Sequence, residues 1–169
     1  ESIRTNPNHR EVTASHYASP AAASSAVDSL DVVMLGATEV DTSFNVNVHT
    51  NSSGVIMGGS GGHSDTAAGA KMSMIVAPLS RARLPIVVDK VLCKSTPGST
   101  VDVLVTQRGI AVNPCRQDLS ERFRASGLPV VDIMELRDAA EKLNGKARKP
   151  VLGDQVVANV LYRDGTLLD

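Results

Sequence analysis

The sequence has 169 residues, enough for one core burying about 70% of the surface of the unfolded chain. Its 17 basic and 18 acidic residues give a formal net charge of −1, which argues against partners held by bulk charge, whether a polyanion or an anionic membrane. Two Phe, two Tyr and no Trp leave little on which to stack single-stranded bases, so nucleic acid is excluded as well.

Cys93 and Cys115 lie in separate segments with no paired spacing. That excludes a disulfide framework or a zinc site and predicts buried or idle thiols in a reducing cytoplasm. No apolar run approaches the roughly 20 residues of a membrane helix, and the N-terminus lacks a signal-peptide layout. The first residue is Glu1, not Met, which suggests a piece of a longer protein.

Residues 1–20 are too polar and too weakly periodic to predict a core element, and residues 19–26 (SPAAASSA) read as a surface loop. Val32, Val33, Met34 and Leu35 form a short apolar run that predicts a buried strand. Phe44, Val46 and Val48 alternate with Asn45, Asn47 and His49, which predicts a second strand with a polar face.

Residues 58–71 (GGSGGHSDTAAGAK) hold five glycines and no large apolar side chain. Each glycine costs roughly 0.5–1 kcal/mol against alanine in ordered structure, so the stretch implies close approach to its backbone. Bare amides there suit a phosphate or a developing oxyanion. Asp65 and Thr66 are placed to cap a helix through Ala67, Ala68 and Ala70. A mobile surface turn is the competing reading.

Strand-like segments follow in MSMIVAP, in LPIVVDKVLCK and, after a Pro-Gly turn, in TPGSTVDVLVT. A helix is predicted from Asp118 to near Gly127, with Leu119 and Phe123 on one face. A second has Asp132 as N-cap, Glu135 reaching back, Leu136, Ala139, Ala140 and Leu143 as its apolar stripe, and Gly145 at its end. A basic linker at 146–149 leads into a last strand that ends in the Asp164-Gly165 hairpin turn. Consecutive strands followed by helices give an open α/β domain without strict βαβ alternation.

Among the histidines, His9, His16, His49 and His63 show no metal-ligand spacing, so no metal site is expected. His63 alone lies in the glycine loop, where it serves as a donor to a substrate carboxylate, as a general acid or as a structural donor holding the loop. Ser60, Ser64, His63 and Asp65 are too close in sequence to presume a catalytic triad. Arg81 and Arg83 sit between two strands, suited to holding carboxylate or phosphate, with solvated charge as the alternative.

The order of LGATEVDTSFNVNVHTNSSGVIMGGSGGHSDTAAGA, IVAPLSRARLPIVVDKV, TPGSTVDVLVTQRGIAVNP and YRDGTLLD resembles the C-terminal domain of citrate lyase alpha subunits, through nearly all of the chain. A weaker version of the pattern is similar to the wider CoA-transferase superfamily: residues 39–41, Asn45 and Asn47, Gly59 to Gly62 with Asp65, and Thr106 with Gly109 to Ala111. Gln107 departs from it, standing where an acidic residue is usual.

The resemblance implies a NagB/RpiA/CoA-transferase-like α/β domain, with an open mixed sheet and flanking helices, that forms one part of a two-domain subunit with the site between the domains. It implies replacement of acetyl by citrate on the thioester of an acyl carrier subunit bearing phosphoribosyl dephospho-CoA, with no cofactor held tightly by this chain. Citrate and the beta (lyase) and gamma (acyl carrier) subunits are the implied partners, in a cytoplasmic homo-oligomer. Gly59, Gly61, Gly62 and His63 are then the catalytic candidates, and Asn45, Asn47, Ser60, Asp65, Arg81 and Arg83 the substrate- or CoA-binding ones. Glu39 is expected to be structural and not a nucleophile. Two other readings remain: a transferase for another carboxylic acid using free CoA, and a non-catalytic assembly domain.

Overall fold

The computed structural model describes residues 2–22, 24–147 and 149–169. Ala23 of the expected 19–26 loop and Arg148 of the basic linker lie outside the described residues. In chain order the elements begin with the short helices α1 (Ser2–Thr5) and α2 (Ala14–Ala18), both largely exposed, followed by β1 (Val32–Leu35), β2 (Glu39–Asp41) and β3 (Val46–Asn47). Next come α3 (His63–Gly69), β4 (Met72–Val76), β5 (Ser80–Arg81), β6 (Leu84–Pro85) and β7 (Val87–Val88). The last are β8 (Val103–Thr106), β9 (Gly109–Val112), α4 (Gln117–Ala125), β10 (Val130–Val131) and α5 (Ile133–Asn144).

Five strands form the main sheet in the order β1-β4-β8-β9-β10, parallel except for the antiparallel β8–β9 hairpin. A second sheet, β3-β2-β7, pairs β2 with β3 antiparallel and with β7 parallel. β5 and β6 form a separate hairpin. This is the expected open mixed α/β architecture.

One face of the main sheet supplies Ile75, Leu104 and Ala111 to the core, where they join Val40, Phe44, Val46 and Val87 from the second sheet region and Ile133, Leu136 and Ala140 from α5. α5 forms because its stripe recurs at helical spacing and its N-terminus carries the expected capping box: Asp132 accepts from Met134 N at 2.7 Å, and Glu135 accepts from Asp132 N at 3.3 Å. Gly145, at φ 77°, ends it. By register, Val32, Met34, Met74 and Val76 share the opposite face of the sheet. There Val32 is 44%, Met34 71% and Val76 48% exposed, although strands of parallel sheets normally have both faces covered.

Several expectations are corrected. Phe44 is not in a strand; it sits at φ 63° in the β2–β3 turn, because the Asp41 carboxylate accepts from Ser43 N and Asn45 N and folds the chain back. The polar face expected for 45–49 is consequently lost, and Asn47 is fully buried. α3 begins at His63 after Gly62, so Asp65 lies in its first turn and is not its cap. Residues 151–159 adopt no strand; the last hairpin is bonded from Val160 to Asp169, with Val160 N donating to Asp169 O and Leu168 N to Val160 O, both at 2.8 Å, a bridge between Leu161 and Leu167, and a turn bond from Gly165 N to Tyr162 O at 2.9 Å.

Candidate functional site

The glycine loop leaves the short antiparallel bridge Thr50–Ile56 and runs into α3. Gly61 has a left-handed backbone, φ +56°, and needs glycine for the turn. Gly58 and Gly59 do not: neither is left-handed, and a Cβ on either would meet nothing within 4 Å. From Gly58 through Gly62 no backbone N–H has an acceptor among the described residues, and the first bond resumes at His63 N, which donates to Ser60 O at 3.2 Å. Five successive amides are thus available to an incoming acceptor.

Ser60 borders a cavity of about 670 Å³ whose wall also includes His49, Leu92, Cys93, Ser95 and Leu152. That size and a largely apolar lining with a few polar groups suit a small-molecule site. Cys93, in this wall, is no nucleophile: burial, with the Asp169 and Glu39 carboxylates, pushes its thiol up to about 12. Cys115 is exposed, and neither cysteine is in a disulfide.

His63 does not project into the loop. Its Nε2 lies 2.9 Å from Gly36 O and its Nδ1 2.7 Å from Thr96 Oγ1. A carbonyl can only accept, so Nε2 carries the proton and Nδ1 accepts from the threonine hydroxyl. The ring ties α3 to the end of β1 and to the 93–98 segment, which fits the holding role among the three considered. Burial is the largest cause holding His63 below the ordinary histidine value; the Gly36 bond opposes it and the charge of His49 adds to it.

A lowered folded-state value means that the unfolded chain binds the proton more tightly. The stability contributed by neutral His63 is therefore complete above about pH 6.5 and is lost as pH falls from there through the lowered value. The urea midpoint should drop between pH 7.5 and 5.5, and His63→Gln should show a lower midpoint at pH 7.5 with a shallower pH dependence. An unchanged slope in the variant would place the proton uptake elsewhere.

Asn47 Nδ2 donates to Glu39 Oε2 and to Thr50 Oγ1, both at 2.9 Å, while its Oδ1 accepts from His49 N and Thr50 N, each at 3.1 Å. Asn45 is held by Asp41 and accepts from Gly98 N at 3.0 Å. Both asparagines set the β2–β3 hairpin and the start of the 49–57 loop. Glu39 Oε2 also accepts from Leu92 N at 3.0 Å, in keeping with its structural assignment. Asp65 faces Arg163 at 3.4 Å, joining α3 to the last hairpin.

Arg81 and Arg83 are exposed on the β5–β6 hairpin, where Ala82 and Arg83 both have positive φ, 51° and 63°. Such a pair matches the backbone of a two-residue type I′ turn. Arg83 lines a different cavity, of about 420 Å³, with Ser52, Ser53, Lys146 and Lys149. The structure thus brings Ser60 of the glycine loop and His49 to one cavity, while the arginines belong elsewhere on the surface.

Sequence reasoning missed the His49–Ser95 contact, with Nδ1 2.6 Å from Oγ, and the Asp65–Arg163 pair. The partners are far apart in sequence, and no local spacing announces them. Among the described residues there is no group of three or more His, Cys, Asp or Glu arranged to hold a metal, and no helix long and apolar enough to cross a membrane.

An open mixed sheet with flanking helices and a glycine loop leading into α3 defines a mixed α/β domain. The sequence matches the family described as citrate lyase, alpha subunit (CitF), over residues 1–169. It is 54% identical over 168 residues to the citrate lyase alpha chain of Klebsiella pneumoniae, covering 99% of this chain and 33% of that one. Against the citrate lyase alpha chain of Escherichia coli it is 52% identical, covering 100% of this chain and 33% of that one. A crystal structure of the citrate lyase alpha subunit of Streptococcus mutans, in complex with citrate, superposes with a TM-score of 0.95 at 49% identity, over 99% of this chain and 33% of that one. This chain belongs to the citrate lyase alpha subunit family and spans about a third of the length of those relatives.

Proposed function

We propose that this chain is part of a longer alpha subunit that exchanges acetyl for citrate on the thioester of an acyl carrier subunit. The observation that carries the reading is the pair Gly58 and Gly59: nothing in the chain requires glycine there, and their amides are unclaimed in the loop whose Ser60 lines the cavity. The family membership and the citrate-bound relative support it. The bare apolar face of the main sheet supports membership in a larger assembly.

In this reading a citrate carboxylate oxygen attacks the carbonyl carbon of the acetyl thioester. The carbonyl electron pair moves onto oxygen, where loop amides stabilise it, and its return breaks the C–S bond and releases the thiolate. The thiolate then attacks the citryl carbonyl of the acetyl-citryl anhydride, forming the citryl thioester and expelling acetate. The sum is acetyl-carrier plus citrate giving citryl-carrier plus acetate, with no net proton or electron. Each well-placed amide contributes roughly 3 kcal/mol to such a step. The carrier's phosphoribosyl dephospho-CoA group brings phosphates, and the Arg83, Lys146 and Lys149 cavity, with no carboxylate in its lining, is where they would lie. The beta and gamma subunits and a cytoplasmic homo-oligomer complete the proposal.

The test is acetate release and citryl-thioester formation by the full-length alpha chain, given acetyl-loaded carrier and citrate or acetyl-CoA and citrate. Exchange with the carrier supports the reading. Exchange confined to free CoA, or to another acid, favours the alternative transferase. No exchange while the other subunits still bind identifies an assembly domain. The 169-residue chain alone should show no turnover, because two reactants need the complete cleft to orient them.

A further inference from the structure

His49 has no assigned part so far, yet its ring is held by a buried serine on the cavity wall. Its Nδ1 lies 2.6 Å from Ser95 Oγ. That oxygen also accepts from Val48 N at 2.9 Å, and His49 N, which it shares with Asn47 Oδ1 at 3.1 Å, faces it at 3.3 Å. A hydroxyl has two lone pairs and one proton. With one lone pair taken by Val48 N and the shared His49 N–H facing the other, its proton goes to His49, and Nδ1 is the acceptor. Ser95 is 2% exposed, so bulk water does not compete for this arrangement. A neutral imidazole that accepts at Nδ1 carries its hydrogen on Nε2.

Nε2 has no partner among the described residues, and His49 lines the same cavity as Ser60 of the glycine loop. We propose that His49, fixed by Ser95, presents Nε2–H to an oxygen of the acyl group held in this cavity. This rests on the thioester-exchange reading and names a side-chain donor that works beside the loop amides. The ligand class is an oxygen acceptor at an acyl carbon: the thioester carbonyl as it becomes an oxyanion. His49 transfers no proton in this role; its hydrogen bond strengthens as charge gathers on the oxygen and weakens when the thiolate leaves. Ser95 is the positioning residue, because it decides which ring nitrogen carries the hydrogen.

Two substitutions in the full-length alpha chain separate donor from filler. His49→Phe keeps a ring and removes the donor; His49→Gln keeps an N–H near the position of Nε2. Loss of one such donor lowers kcat by about 100- to 1000-fold, so the Phe variant should fall by that factor with the KM for citrate within about threefold. The Gln variant should recover at least tenfold over Phe. Equal turnover of wild type and Phe variant, or equal loss in Phe and Gln, overturns the proposal. A wild-type chain that exchanges acyl groups on no thioester overturns the functional reading itself.

If neither variant folds, long-range ¹H–¹⁵N spectra of the wild-type histidine rings decide the matter. The Nε2–H tautomer at His49, with its ring signals shifted on adding citrate and a thioester, supports the role. The Nδ1–H tautomer, or signals that ignore both reactants, overturns it.

Discussion

Replacing Gly59 with alanine in the full-length alpha chain should lower the exchange rate by about a hundredfold or more, the range seen when one oxyanion donor is lost, while the urea midpoint stays level or rises. The second half of the expectation is what makes the experiment decisive. Gly59 is outside the left-handed region and an added methyl meets nothing within 4 Å, so alanine fits the folded backbone. It also narrows the unfolded ensemble, which typically stabilises by about 0.4–1 kcal/mol. Any loss of turnover then comes from what the methyl obstructs outside this chain's own atoms. Gly61 is a poorer probe, because its φ of +56° adds a backbone cost of roughly 1–2 kcal/mol to any chemical effect. Unchanged turnover in the Gly59 variant would mean that nothing approaches this backbone closely, and the surface-turn reading would prevail.

How much of this was legible in the sequence depends on how local the deciding interaction is. α5 was readable at both ends, since its stripe, its capping box and its terminal glycine all lie within fifteen residues. The β2–β3 region was misread for the complementary reason. Alternation of Phe44, Val46 and Val48 with polar residues predicts a strand, but a buried carboxylate at Asp41 captures the amides of Ser43 and Asn45 and turns the chain. β10, with two residues, is too short for a periodic signal of its own. Val156 and Val157 look like strand residues, yet they are 74% and 79% exposed and pair with no neighbouring strand among the described residues.

The site divides in the same way. The glycine loop stood out by composition, and His63 by its place within it, but the direction of the His63 ring depends on Gly36 and Thr96, 27 and 33 residues away. His49 looked like one polar residue in an alternating run. Only the fold brings Ser95 to it, across 46 residues. Asn45 and Asn47, picked out by resemblance as binding residues, hold the loops that carry these groups.

The largest effect on folding is expected at Gly98. A Cβ there would lie 1.9 Å from Ser43 O and 2.9 Å from both Asn45 N and Phe44 C. All three are backbone atoms, so no side-chain rotation relieves the contact. Nor can the turn give way easily: Asp41 accepts from Ser43 N, Asn45 N and the Asn45 amide, Gly98 N itself donates to Asn45 Oδ1, and Phe44 is anchored in the core at 2% exposure. Overpacking usually costs about 1–3 kcal/mol; with backbone on both sides of the clash, Gly98→Ala should exceed about 4 kcal/mol, a large share of a typical domain's 5–15 kcal/mol. A lowered urea midpoint with partial unfolding at 25 °C is the expected result, against no change in Gly153→Ala, where an added Cβ meets nothing within 4 Å. A midpoint within about 1 kcal/mol of wild type would show that the turn shifts freely. The consequence reaches the site because Ser95 and Thr96 precede Gly98 on a segment bonded to Val46, through Ser95 N and Thr96 N to Val46 O and Val46 N to Thr96 O. Those two hydroxyls orient His49 and His63. A milder variant at this contact, one that shifts the segment without unfolding it, should therefore lower turnover by disordering both rings while the glycine loop keeps its sequence.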